Sequence, residues 1–80
     1  MNDMYYIGQI VLFPYNFAPA NFYECNGMPL KIEEHTTLYS LIGNKFGGEG
    51  ETFLLPDMVN AAPHGMIYCI CYAGIYPPRN

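Results

Sequence analysis

The stretch "MIYCICYAGIY", residues 66–76, constrains this chain more than any other part of it. It carries no charge and is built mainly from Ile, Tyr and Cys. It is too short to cross a bilayer as a helix, which takes about 20 apolar residues, and no membrane association is expected. Its β-branched and aromatic content favours an extended strand. A strand that is apolar on both sides has to be covered on both sides. Residues 66–74 are therefore expected to form a strand that lies centrally or at a subunit interface.

Little chain is available to cover it. Eighty residues make one small domain, spanning 1–80. A domain of that size buries a modest fraction of its surface and is marginal alone. Apolar residues make up 51% and charged residues 12%, where a soluble domain usually has about 25% charged. A monomer so poor in charge exposes apolar patches, so a homo-oligomer is expected.

The same composition excludes some functions. The net charge is −4 and the fixed cations are Lys31, Lys45 and Arg79. Nucleic-acid affinity rests on Lys and Arg neutralising phosphates, and three scattered cations form no basic stripe. No nucleic-acid partner is expected. Cys25, Cys69 and Cys71 are odd in number and make no closed disulfide framework. Free thiols fit a reducing cytoplasm. Zinc sites favour Cys-x-x-Cys pairs or Cys/His clusters; here Cys69 and Cys71 are separated by one residue, and His35 and His64 are the only histidines. No metal and no cofactor is expected. The opening "MNDMYY" has no basic stretch of the kind that starts a secretory signal, and synthesis in a host cytoplasm is expected.

"YYIGQIVLF", residues 5–13, reads as a strand with both faces apolar, and "FYEC", residues 22–25, as a short one. Asn26-Gly27 is a turn signal in which Gly27 supplies a positive φ. With "MPLKI" behind it, a hairpin is expected, its second arm demoted to an edge by Pro29. One helix of about three turns is expected near 34–43: Leu38, Leu41 and Ile42 share a face, Glu33 and Glu34 favour its start, and Gly43 is placed to stop it. The fold class is α+β, with that helix packed on a short, mostly antiparallel sheet.

"FGGEGETFLLPDM", residues 46–58, raises the question of phosphate binding. Phosphate loops precede a helix N-terminus, where free N–H groups and the dipole attract anions. This loop follows a helix, carries Glu49 and Glu51, and has no Gly-Lys-Ser or Gly-Lys-Thr. Gly47, Gly48 and Gly50 are read as backbone devices that permit positive φ. In "LLPD", Pro56 ends the extended piece and Asp57 caps the backbone beside it.

The pieces in order are an Ile-Gly-Gln-Ile strand, Phe-Ala-Pro, Cys-Asn-Gly, a Leu-x-x-Leu-Ile-Gly helix, Phe-Gly-Gly-x-Gly and Leu-Pro-Asp. Together they resemble the phage tail-collar domain of short tail fibres and of the microcystin-dependent proteins, over residues 6–58. The ending "YCICYAGIYPPRN", within 66–80, is similar to the closing segment of the microcystin-dependent proteins. The chain departs from that family in two ways. Phe22 or Tyr23 stands where a Trp is usual, and only "VNAAPHG" remains of a Gly- and His-rich middle. The resemblance implies a trimer or a multiple of it, other phage tail proteins as partners, and a place in the virion tail if the role is structural.

No catalytic residue is expected. Ser40 is the only serine, and Glu24 and Cys25 are strand neighbours that face opposite sides. His35 reads as solvated or capping and His64 as exposed. Arg79 is the sole arginine, held behind Pro77 and Pro78, and guanidinium is the group for planar recognition of carboxylate or phosphate. Its expected partner is a neighbouring subunit's carboxylate or an anionic small molecule of nucleotide type. Asn80, Tyr76, Tyr72, Lys31 and Lys45 are the residues expected to help hold such a ligand. The alternatives to a self-assembling structural module are thus a sequestering protein of phage origin and a small acidic inhibitor that binds a protein.

Overall fold

The computed structural model describes residues 4–79, and Asn80 lies outside them. The apolar C-terminal stretch forms a strand, Ile67–Cys71, paired antiparallel with Ile10–Phe13 on one side and with Phe22–Glu24 on the other. In chain order these are β5, β1 and β2, and the sheet order is β1-β5-β2. A second antiparallel sheet pairs β3 (Pro29–Lys31) with β4 (Thr52–Leu54). One helix, α1 (Thr36–Ile42), stands between them in sequence, with 3-10 turns at Ile32–Glu34 and Val59–Ala61. The fold is a small α+β domain, with two small sheets in place of the single one expected.

The period of two along β5 divides the interior. Ile70 points into the larger core with Cys25, Leu38, Phe53 and Leu55. Cys69 and Cys71 point the other way, against Phe22, with Val11, Phe13 and Tyr5 packed around them. Phe53 and both of these thiols are fully buried. Burying a side chain of the Leu or Phe class stabilises by about 1.5–3 kcal/mol, so the strand is held from both sides.

The expected hairpin at Asn26-Gly27 does not form. Gly27 does take a positive φ of 80°, but the backbone groups of Cys25 already have partners. Its N–H donates to the Tyr68 carbonyl, and its carbonyl accepts from the Met58 N–H. The chain leaves β2 for the second sheet instead. The expected strand over 5–13 is also broken. Gly8 has φ 89°, the Gln9 N–H donates to the Tyr6 carbonyl, and Tyr6 forms a parallel bridge with Ile75. Only Ile10–Phe13 is regular strand.

The helix has 7 residues, two turns rather than three. Its start is delayed because residues 32–34 form a 3-10 turn and His35 sits at φ −139° between the two. Glu33 and Glu34 fall in that 3-10 turn, ahead of the helix. Leu38 is buried, Leu41 and Ile42 pack on the same core, and the Gly43 N–H closes the helix on the Tyr39 carbonyl.

Candidate functional site

The glycine loop is spent on the fold. The Leu54 N–H donates to the Gly47 carbonyl at 3.1 Å, and both the Thr52 N–H and its hydroxyl donate to the Glu49 carbonyl. Gly48, at φ 111°, lies against β4 so closely that a Cβ would sit 2.5 Å from the Phe53 Cα. Only glycine fits there. A groove beside the loop is lined by Ile32, Glu33, Gly50 and Glu51. Its two carboxylates repel an anion.

Two motifs about thirty residues apart meet in space. Cys-Asn-Gly, residues 25–27, lies beside Leu-Pro-Asp, residues 55–57: Asn26 and Asp57 form an antiparallel bridge, and the Gly27 N–H donates to the Pro56 carbonyl. The Leu55 and Met58 N–H groups donate to the Met28 and Cys25 carbonyls. Asp57 Oδ1 accepts from the Val59 N–H at 3.3 Å, the cap expected of it. A Cβ on Gly27 would meet the Asp57 Cβ at 3.3 Å. These residues clasp two distant segments.

The residues considered for ligand binding make no direct contact with one another among the described residues. Arg79 is exposed, with no ion-pair partner among the described residues. Tyr76 reaches α1, its hydroxyl 3.4 Å from that of Ser40. Lys45 lies 5.8 Å from the Phe46 ring centroid, and Lys31 is exposed on β3. Tyr72 stacks on Tyr23. Among the described residues no hydrogen bond, ion pair or ring contact joins any two of Lys31, Lys45, Tyr72, Tyr76 and Arg79.

The sequence model of the phage tail collar domain matches residues 8–63. The chain belongs to the phage tail collar domain family. No curated protein and no solved structure matches it. In this collar domain the matched span contains β1 to β4, α1 and the Asn26–Asp57 clasp, and it stops short of β5. The strand that joins β1 to β2 thus lies beyond the matched residues.

One cluster of the collar domain has no counterpart in the sequence reading. The Tyr23 and Tyr72 rings stack at 4.2 Å and 22°, and the His35 ring stands edge-on to both. The Tyr23 hydroxyl lies 3.3 Å from His35 Nε2. Burial raises the Tyr23 pKa, with Tyr72 and Glu34 adding to it. His35 was expected to be solvated or capping; it makes no side-chain cap and is half-buried in this cluster instead. Only the pairing of β2 with β5 brings Tyr23 near Tyr72, and no local spacing signals that pairing. Burial also pushes the Cys25 thiol up to about 12, aided by Cys69 and Glu24, and raises Cys69. Thiols held protonated in this way are poor nucleophiles and poor metal ligands.

Proposed function

We propose that this collar domain is a self-assembling structural module of a phage or prophage tail of the fibre type. The observation that carries the reading is the family match over residues 8–63. Its motifs serve backbone contacts, as the Asn26–Asp57 bridge and the approach of Gly48 to β4 illustrate. Large apolar side chains such as Met4 at 80%, Phe17 at 60% and Tyr76 at 53% exposure are available for contact with further copies. The module is not an enzyme. It forms a trimer or a multiple of one, is made in the host cytoplasm, and joins other tail proteins in the virion.

Light scattering on the purified chain tests this reading. A trimeric or larger mass is expected, and a monomer at all attainable concentrations overturns self-assembly. Arg79→Ala adds a finer measurement. An exposed arginine with no partner among the described residues contributes close to nothing, so an unchanged mass and melting temperature are expected of a solvated terminus. Dissociation would instead reveal an inter-subunit ion pair, and loss of a co-purifying anion from an intact oligomer would revive the sequestering reading.

A further inference from the structure

Charge is segregated along this chain, and the fold pairs its two neutral segments with each other. Residues 4–23 and 58–78 contain no Asp, Glu, Lys or Arg. Residues 24–57 contain Glu24, Glu33, Glu34, Glu49, Glu51 and Asp57 together with Lys31 and Lys45. The two neutral segments come together, because β1 pairs with β5 and Tyr6 bridges Ile75.

Within the neutral half, β1 is an edge strand. The Gln9 carbonyl turns inward to accept from the Cys71 N–H. The antiparallel alternation then turns the amides and carbonyls of Ile10 and Leu12 outward, where they have no partner among the described residues. Native edges are usually blunted by charge, proline, a bulge or a covering element; β1 is Ile-Val-Leu-Phe, without charge or proline, between the break at Gly8 and Pro14. At its C-terminal end the strand runs into a ladder of rings. Phe13 stacks on Tyr15 at 5.4 Å and 14°, and Tyr15 stacks on Phe17 at 5.4 Å and 12°. Phe13 is anchored edge-on to the buried Phe22, so the ladder leads from the smaller core out to a ring that is 60% exposed. Aromatic anchors held in place before binding carry most of the energy of protein interfaces.

We propose that the β1 edge and the Phe13–Tyr15–Phe17 ladder are the surface through which one copy of this chain docks on a second copy. The proposal rests on the self-assembly reading and names its surface. Charge selects the occupant. Copies meeting through residues 24–57, where six carboxylates outnumber two lysines, would bring together segments that are both net negative, a like-charge arrangement that is repulsive. Copies meeting through the neutral half keep those groups apart and in water. A bilayer is a poorer occupant, since peripheral membrane surfaces rely on lysines and arginines around the apolar face, and residues 4–23 have neither. A second β1 presents the same outward amides and carbonyls, so pairing about a two-fold axis satisfies both edges at once. In an assembly of trimers, that symmetry joins two of them back to back.

The test is the solution mass of the full chain, wild type against Phe17→Glu and Ile10→Lys, with Phe46→Glu as control. Phe46 is comparably exposed, at 42%, but belongs to the charged segment. Weakening of self-association by about tenfold or more, as for hot-spot residues, is expected for the first two, with circular dichroism unchanged and the control assembling as wild type. Folded variants that keep the wild-type mass overturn the surface while leaving self-assembly intact. A monomeric wild type overturns both. Amide exchange on the wild type decides the matter if a variant fails to fold: protection of Ile10 and Leu12 that rises with protein concentration supports the proposal, and fast exchange at every concentration sinks it.

Discussion

The two faces of β5 are covered by different means. On one side Ile70 meets a helix and a second sheet, through Leu38, Phe53 and Leu55. On the other, Cys69 and Cys71 are covered by Phe22, Tyr5, Phe13, Val11, Ala18 and Ile67, with Phe22 edge-on to both Tyr5 and Phe13 at 5.1 Å. The larger face draws its cover from a helix and a second sheet, and the smaller face from β1, β2 and the segments beside them.

The sharpest way to break this comparison is to truncate one ring on each side. Phe53→Ala empties a fully buried site in the larger core and is expected to cost about 3–5 kcal/mol. Domains as a class have about 5–15 kcal/mol in all, so a large fall in melting temperature is expected. Phe22 retains 6% exposure, and Phe22→Ala is expected near the lower end of that range. Equal losses would mean that the two faces hold the strand equally.

The glycine loop refines the picture of the larger face. Gly48→Ala drives a Cβ into β4 at a backbone φ of 111°, and strain of this kind combined with a clash is expected to cost about 2 kcal/mol or more. Gly50→Ala places its Cβ in open space at φ 65° and is expected to cost about 1 kcal/mol. Denaturant melts of the pair measure the difference. Similar values would show that β4 yields to the intrusion.

Alkaline pH probes one thiol from each side. Burial raises Cys25 from an ordinary value of 9.0 to about 12 and raises Cys69 in the same direction. A thiol raised in the folded state stabilises fully below its unfolded pKa. That contribution is lost progressively as pH rises from there toward the folded value, because the unfolded chain then releases protons first. Melts under reducing conditions are expected to show stability falling between pH 9.0 and about 12. Cys25→Ala is expected to flatten that fall, and an unchanged slope in the variant would assign it to other groups. The smallest effect is expected of Tyr23→Phe. It removes one half-buried contact to His35 and keeps the ring stack, at a cost of about 0.5–1.5 kcal/mol in the same melts.

The elements were legible where the signal is local. The strand near 66–74, Leu38 with its helix face, the stop at Gly43 and the positive φ of Gly27 all follow from neighbours a few residues apart. What stayed hidden depends on partners far along the chain. Asn26-Gly27 has every local mark of a hairpin, yet Tyr68 and Met58 claim the backbone of Cys25, and the turn serves a clasp with Asp57 instead. The kink at Gly8 has the same origin, since Tyr6 is drawn to Ile75. Of the candidate site, the backbone role of the glycine loop could be read from its acidic residues and its place after a helix. The Tyr23–Tyr72–His35 cluster could not, because it exists only once β2 lies beside β5.

The bridge between Tyr6 and Ile75 is parallel, with the Ile7 N–H donating to the Ile75 carbonyl at 2.8 Å and the Ile75 N–H to the Tyr5 carbonyl at 3.1 Å. The two terminal segments therefore run in the same direction, one entering the domain at one end and the other leaving at the opposite end. Tension that draws the two ends apart slides these segments along each other. Both hydrogen bonds lie across that motion and are loaded together, in shear, and neither can be peeled open ahead of the other. A domain tied in this way resists stretching at the point where the pull arrives, before the load reaches the sheet behind it.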